Sequence, residues 1–278
     1  MASLLSIELL KTYRKLRTYI GFGVILVVIP LIYLGMSYGG ENMVNSMTRN
    51  LQKDFVFVGN LFNGWFVSNM VMNSLWVHIP FLIALVAGDM FAGEATGGTF
   101  RILLTRPPSR TRIFFVKLAA TIVYTYSLVI FLGLLSIGLG LLLFGTGDLL
   151  MFNRGIVILP GDDVLWRFIL AYFLAGIAMV TVASLALMLS TFVENAIGPI
   201  IGTMAVVIAF FIFGNLDFSF FKAMRPWLFT TYLDVWKNAF TDPVDWNTIA
   251  KDAGALIGFS AFFSCVAWSI FSRKNIVS

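Results

Sequence analysis

Long apolar runs separated by short polar segments dominate the chain. Six of these runs contain no Asp, Glu, Lys or Arg and reach at least 20 residues. A helix rises ~1.5 Å per residue, so about 20 apolar residues cross the ~30 Å hydrocarbon core of a bilayer. The pattern therefore predicts six transmembrane helices, at about residues 19–38, 65–91, 113–144, 166–192, 196–216 and 253–272.

The segments outside these runs predict three further helical features. Residues 1–18 place apolar and cationic positions at helical spacing, which favours an interfacial helix; a plain positive flank of the first span is the alternative. Residues 93–112 surround a short apolar stretch with glycines and prolines, which predicts a short cytoplasmic helix with stiff joints. Residues 217–252 carry nine aromatic residues, which favours outer interfacial or re-entrant helices before the last span.

The composition agrees with a membrane protein and excludes a soluble domain. Hydrophobic residues make up 59% of the chain and charged residues 12%, whereas a soluble domain is roughly 25% charged. The single cysteine, Cys265, excludes an intrachain disulfide. We therefore expect an all-α polytopic membrane protein that forms one transmembrane domain over residues 1–278.

The distribution of cations predicts the orientation. With six spans, eleven of the 19 lysines and arginines lie on the side of the termini, together with four of the 14 acidic residues. Short loops rich in Lys and Arg stay cytoplasmic. The pattern predicts a multi-pass protein of the cell inner (plasma) membrane with both termini in the cytoplasm. Because topology accounts for the net charge of +5, we expect membrane lipids as partners and no nucleic acid.

Motifs of catalysis and metal binding are missing from the sequence. No Gly-Lys dipeptide occurs, so the chain has no P-loop for ATP. His78 is the only histidine, which excludes an H-E-x-x-H zinc motif and disfavours Ser-His-Asp chemistry. We predict no catalytic residue, no metal site and no enzyme activity. The acidic residues lie outside or at the ends of the runs, which counts against a proton-coupled carrier.

Polar and small residues within the runs suggest two kinds of site. Asn69 and Asn73 lie one helical turn apart in the second run, followed by Trp76. Amides in a membrane helix should face protein or water, so these residues indicate either a substrate path or hydrogen bonds between helices. Two glycine pairs at a spacing of four residues favour close helix packing, within the chain or between two copies: Gly198 with Gly202, and Gly254 with Gly258.

The segment after the second run resembles the cytoplasmic signature of ABC-2 type permeases, the membrane subunits of ATP-driven exporters. That signature has the pattern E-x3-G-T-x3-L-L-x2-P-x-S-R with a lysine further on. The matching residues are Glu94, Gly98, Thr99, Leu103, Leu104, Pro107, Ser109, Arg110 and Lys117.

The resemblance implies a transport subunit driven by another protein. ATP and Mg would bind a separate ATP-binding cassette ATPase, and a second permease copy, identical or similar, would complete the complex. A coupling helix formed by Glu94, Gly98, Thr99, Arg101, Leu103, Leu104, Pro107, Ser109 and Arg110 would take the push of the ATPase. The alternatives are an ion- or proton-driven carrier or channel, a membrane enzyme, and a non-transporting membrane assembly subunit.

Overall fold

The computed structural model describes residues 2–49, 60–96, 109–152 and 156–273. Its elements, in chain order, are α1 (Ala2–Arg14), α2 (Leu16–Thr48), α3 (Gly64–Leu75), α4 (Ile79–Ala87), α5 (Asp89–Thr96), α6 (Arg110–Phe144), β1 (Leu149–Phe152), β2 (Ile156–Leu159), α7 (Gly161–Phe192), α8 (Ile197–Asn215), α9 (Ser219–Met224), two 3-10 helices (Arg225–Trp227 and Phe229–Phe240) and α10 (Trp246–Arg273).

Five of the described helices are long and apolar enough to cross a membrane: α2, α6, α7, α8 and α10. A sixth span results if α3 and α4 count as one, because they follow each other with a bend of 54°. The predicted class, a multi-pass membrane protein built of helices, is confirmed. The number of six spans and the orientation stay predictions.

The long helices run up and down between two ends of the molecule. At one end, which we call the α1 end, Arg17 at the start of α2 binds Asp89 at the start of α5. At the other, the hairpin end, the Gly64 amide donates to the Gly145 carbonyl at 2.9 Å and so joins α3 to the end of α6. Gly145 ends α6 with a φ of 69°, a conformation that glycine adopts without steric cost.

Two details differ from the helices predicted from the sequence. The first helix ends at Arg14 instead of residue 18, because Lys15 is extended with a ψ of 132° and α2 starts anew at Leu16. As a result Leu16 is 87% exposed and does not continue an apolar face of α1. The sequence also did not predict the antiparallel hairpin β1–β2, in which Leu149 pairs with Leu159.

The helix α7 lies at the centre of the fold. In its most apolar window, 72% of the residues are buried inside the protein, and it packs against α4, α6, α8, α10 and the 3-10 helix Phe229–Phe240. Small side chains at Ala171, Ala175 and Ala178 are among its buried residues, which lets neighbouring helices approach closely.

The 3-10 helix Phe229–Phe240, hereafter the 3-10 segment, is folded into the protein and does not lie loosely on it. Three of its apolar residues, Leu233, Trp236 and Phe240, are buried. Arg167 of α7, itself buried, donates to the Thr241 carbonyl at 2.6 Å and the Ala239 carbonyl at 3.3 Å. These bonds secure the C-terminal end of the segment against α7.

Candidate functional site

A buried ion cluster joins three helices at the α1 end. Lys117 of α6 is 1% exposed, and its Nζ donates to Glu8 Oε1 at 2.6 Å, Glu94 Oε1 at 2.8 Å and the Met90 carbonyl at 2.9 Å. An ammonium group has three N–H donors, so every donor of Lys117 has an acceptor. Lys117 therefore ties α1, α5 and α6 together.

Glu94 is the acidic centre of this cluster. It is 2% exposed and receives a second hydrogen bond, from Lys11 of α1. Burial raises the pKa of the Glu94 carboxyl, but the Lys117 ammonium and Lys11 outweigh burial, so that the pKa lies below its ordinary 4.5. Glu94 is thus a carboxylate at neutral pH, and it is enclosed by helices of its own chain.

A second group of ion pairs lies beside the first. Asp89, at the start of α5, accepts from Lys15 Nζ at 2.6 Å and from Arg17 Nη1 at 2.8 Å. Asp89 is buried, whereas the two cations are partly exposed. The extended residue Lys15 between α1 and α2 is therefore held against α5.

The short helix α5 also contacts the far end of α7. The backbone amides of Phe91 and Ala92 donate to Ser190 Oγ at 3.0 and 2.9 Å. At its last residue, Thr96 Oγ1 donates to the Glu194 carbonyl at 2.6 Å, in the short connection between α7 and α8. We call this meeting point of α1, α5, α6 and α7 the α5 junction.

The predicted coupling segment adjoins the α5 junction. Glu94 lies inside the junction, and Ser109 caps α6 by accepting from the Arg112 amide at 3.4 Å. Arg110 Nη1 donates to the Ser272 carbonyl of α10 at 3.3 Å. The other predicted coupling residues lie outside the described residues: Gly98, Thr99, Arg101, Leu103, Leu104 and Pro107.

The polar residues predicted for a substrate path lie near the bend between α3 and α4. Asn69 is buried and Asn73 is exposed, and Asn73 Nδ2 donates to the Asn69 carbonyl and to Asn69 Oδ1, both at 3.0 Å. Trp76 is buried and packs against Trp236 with ring centroids 5.4 Å apart. The structure brings all three close to the 3-10 segment.

The glycines predicted for helix packing divide into two groups. A Cβ added at Gly202 would lie 3.2 Å from Leu189 Cδ1, and one at Gly198 would lie 3.5 Å from Val193 Cγ2. Around Gly254 and Gly258, no heavy atom of the described residues lies within 4 Å of such a Cβ. These two glycines of α10 therefore do not mediate packing within the described part of the chain, and a contact with a second copy stays a prediction.

Reasoning from the sequence missed Glu8, and it used Lys117 only as part of a motif. A signal was present for both. Glu8 is the only acidic residue among the first 40, and Lys117 interrupts an otherwise apolar stretch. A charge in such surroundings requires a partner, yet the partner's identity depends on how α1 folds back.

Residues 24–277 match the family described as protein of unknown function DUF2705. The chain belongs to this family. No curated protein matches it. The DUF2705 match includes Asp89, Glu94 and Lys117, and it begins inside α2, so Glu8 and Lys11 of α1 precede it. The charged residues that α5 and α6 contribute to the α5 junction therefore lie within the region that this DUF2705 protein shares with its family.

Proposed function

We propose that this DUF2705 protein is the transmembrane permease subunit of an ATP-driven ABC exporter. In this proposal it crosses the plasma membrane six times with both termini in the cytoplasm, and it pairs with a second permease copy. A separate ATP-binding cassette ATPase binds at residues 93–112 and supplies ATP and Mg. The chain itself has no P-loop and contributes movement, not hydrolysis.

The α5 junction is the observation that supports this proposal most strongly. Residues 97–108 follow directly on Thr96, whose side chain is bonded to the connection between α7 and α8, and precede Ser109, which caps α6. A force applied between these two points reaches α5 and α6 together. Because Lys117 and Ser190 connect these helices to α1 and α7, the displacement spreads to the spans as one unit.

The site residues take different parts in this mechanism. Glu94 acts inside the permease as a positioning residue, since its carboxylate is enclosed by α1, α5 and α6. In this proposal the other residues of the segment 93–112 contact the ATPase. Asn69, Asn73 and Trp76 at the bend of α3 and α4 would respond to the movement, because a bent span changes its angle when one half is pushed.

An ion- or proton-driven carrier is the second candidate, and the same cluster favours it. Glu8, Glu94 and Lys117 are buried ionisable groups at one end of a candidate span, and such groups often form proton relays in transporters. In that case the chain alone would carry protons past this cluster.

The test uses the full chain purified from its own membranes together with whatever ATPase accompanies it. Asn73→Cys in a Cys265→Ser background reports on the bend through its rate of maleimide labelling. We expect ATP with Mg to change this rate, and Glu94→Gln to abolish the change while the ATPase still co-purifies. Asp217→Asn is the matched control, since Asp217 is an exposed acid.

Two results would contradict the proposal. One is that no P-loop ATPase accompanies the chain and nucleotide leaves the labelling rate unchanged. The other is that liposomes containing the chain alone conduct protons under an imposed pH gradient in a way that Glu94→Gln stops. The second result would support the carrier.

A further inference from the structure

The corner between α1 and α2 exposes a leucine among three cations. Arg14 ends α1, Lys15 is extended, and α2 starts at Leu16, which is followed by Arg17. Leu16 is 87% exposed, Arg14 and Arg17 are exposed, and Lys15 is partly exposed. Such a mixture fits the level at which a membrane helix enters the lipid, because an apolar side chain can lie in lipid while its cationic neighbours stay among the head groups. We call these four residues the α1–α2 corner.

An exposed apolar stripe runs along α2 from this corner. Its residues follow one another every three or four positions, which places them on one face of the helix. They are Leu16, Ile20, Gly23, Val27, Leu31 and Leu34. All six are exposed, whereas the opposite face packs into the protein through residues such as Ile25 and Ile29. No heavy atom of the described residues lies within 4 Å of a Cβ added at Gly23, so the stripe has a notch that can take a hydrocarbon chain.

The positive charge around the corner exceeds the negative charge that the protein supplies there. Among the charged residues of α1, the corner and α5, together with Lys117, five cations meet three carboxylates. The cations are Lys11, Arg14, Lys15, Arg17 and Lys117, and the carboxylates are Glu8, Asp89 and Glu94. Lys15 and Arg17 share the carboxylate of Asp89 and each donates one hydrogen bond to it, although an ammonium has three donors and a guanidinium five. Arg14 has no ion pair or hydrogen bond with the described residues, so the corner can bind an anion from outside.

We propose that the α1–α2 corner binds the head group of an anionic phospholipid, with one acyl chain lying along the exposed stripe of α2. The head group accepts hydrogen bonds from Arg14 and from the remaining donors of Lys15 and Arg17. The chain covers Leu16 and fills the notch at Gly23. A zwitterionic phosphatidylcholine binds less well, because its choline group brings a further positive charge next to three cations.

A second copy of the chain fits this surface less well than a lipid does. A two-fold axis along the membrane normal brings the same patch of both copies together. The three cations of one corner would then lie opposite the three cations of the other, and like charges that meet at an interface repel. The phosphate of a lipid meets the same cations with the opposite charge.

The experiment uses the photoreactive variant Leu16→p-benzoylphenylalanine of the full chain in nanodiscs of equal parts phosphatidylglycerol and phosphatidylcholine. Mass spectrometry of the cross-linked products gives the ratio of the anionic to the zwitterionic lipid. The control position is Ile197, which is 57% exposed and is likewise the first residue of a membrane helix at the α1 end, but lies near Glu194 instead of cations. We expect the ratio at Leu16 to exceed the ratio at Ile197 at least about fivefold, the effect of one cation close to an anionic head group.

Charge variants identify the site. Arg14→Gln removes an exposed cation that no described residue binds, and it should lower the ratio at Leu16 about fivefold. Arg49→Gln is the matched control, because Arg49 is an exposed arginine at the other end of α2, and it should leave the ratio unchanged. Raising NaCl from about 0.1 to about 1 M shortens the Debye length from about 10 to about 3 Å, so the ratio at Leu16 should fall towards the ratio at Ile197.

Three results would overturn the proposal. They are equal lipid ratios at Leu16 and Ile197, an unchanged ratio in Arg14→Gln, and a cross-link from position 16 to a second copy of the chain in place of lipid. The nanodiscs contain neither ATPase nor nucleotide, so a failure of the proposed transport function would not alter the outcome.

Discussion

Lys117 is the buried cation of the α5 junction. It is buried on α6, and its three donors are satisfied by Glu8, Glu94 and a backbone carbonyl. Burying a charge is expensive unless partners replace water. The residue therefore stabilises the packing of α1 and α5 only as long as both carboxylates are present.

Replacing Lys117 by Met should destabilise the protein by about 3–5 kcal/mol, because Glu8 would lose its cation and Glu94 would keep only Lys11 while both carboxylates stay buried. Unfolding in mixed micelles at increasing SDS measures the loss. The double variant Lys117→Met with Glu94→Gln should lose less than the sum of the two single variants.

Lys222→Met is the control for this prediction. Lys222 is 53% exposed and pairs with Asp217 on the surface, so its replacement should change stability by less than ~1 kcal/mol. Equal effects of the two lysine variants would show that the cluster contributes nothing beyond a surface pair.

The stability contributed by Glu94 should depend on pH. Its pKa in the folded protein lies below the ordinary 4.5, so the folded state favours the carboxylate. This contribution is complete above pH 4.5 and is lost as the pH falls through the lower pKa of the folded protein. Melting temperatures of the wild type and Glu94→Gln should therefore converge in acid and differ most near neutral pH. A difference that grows towards low pH would refute this assignment.

At the scale of elements, close helix crossings depend on individual glycines. A Cβ added at Gly140 of α6 would lie 2.5 Å from Ser68 Oγ and 2.7 Å from the Gly64 carbonyl of α3. The neighbouring Gly138 has no heavy atom of the described residues within 4 Å of such a Cβ. The two positions on one helix therefore differ only in what faces them.

Gly140→Ala should destabilise the protein by about 1–3 kcal/mol, because α3 and α6 must move apart. Gly138→Ala should be neutral or stabilise by up to ~1 kcal/mol through its effect on the helix backbone. SDS unfolding of the two variants tests the crossing. A loss of equal size at Gly138 would show that the loss at Gly140 does not come from its contact with α3.

For the whole molecule, the testable property is which end faces the cytoplasm. Ser6 of α1 and Thr146 near the hairpin are exposed and lie at opposite ends. In a Cys265→Ser background, Thr146→Cys should react with an impermeant maleimide in intact cells, and Ser6→Cys only after the membrane is opened. The positive loops near α1 are the reason for this orientation. Labelling of Ser6→Cys in intact cells would reverse the topology and remove the proposed ATPase contact.

The membrane-spanning helices could be predicted from the long apolar runs without the structure, because a bilayer imposes a minimum length on every helix that crosses it. The nine aromatic residues of 217–252 indicated outer interfacial or re-entrant helices, but the sequence did not show that Leu233, Trp236 and Phe240 are buried inside the protein. By contrast, the predicted end of the first helix at residue 18 differs from the structure, in which this helix ends at Arg14. Its periodicity continued past Lys15, whereas in the structure Lys15 is extended and both Lys15 and Arg17 pair with Asp89.

The sequence by itself therefore determined the class of this protein. The length of an apolar run and its lack of charges are properties of consecutive residues, so they do not depend on which distant residues meet. The tertiary structure alone decided which distant residues meet. Glu8 and Lys117 are 109 positions apart and Asn69 and Trp236 lie on separate helices, yet the members of each pair lie close together. Such contacts arise because buried charges and amides need partners, and packing selects the partners from several chemically suitable candidates.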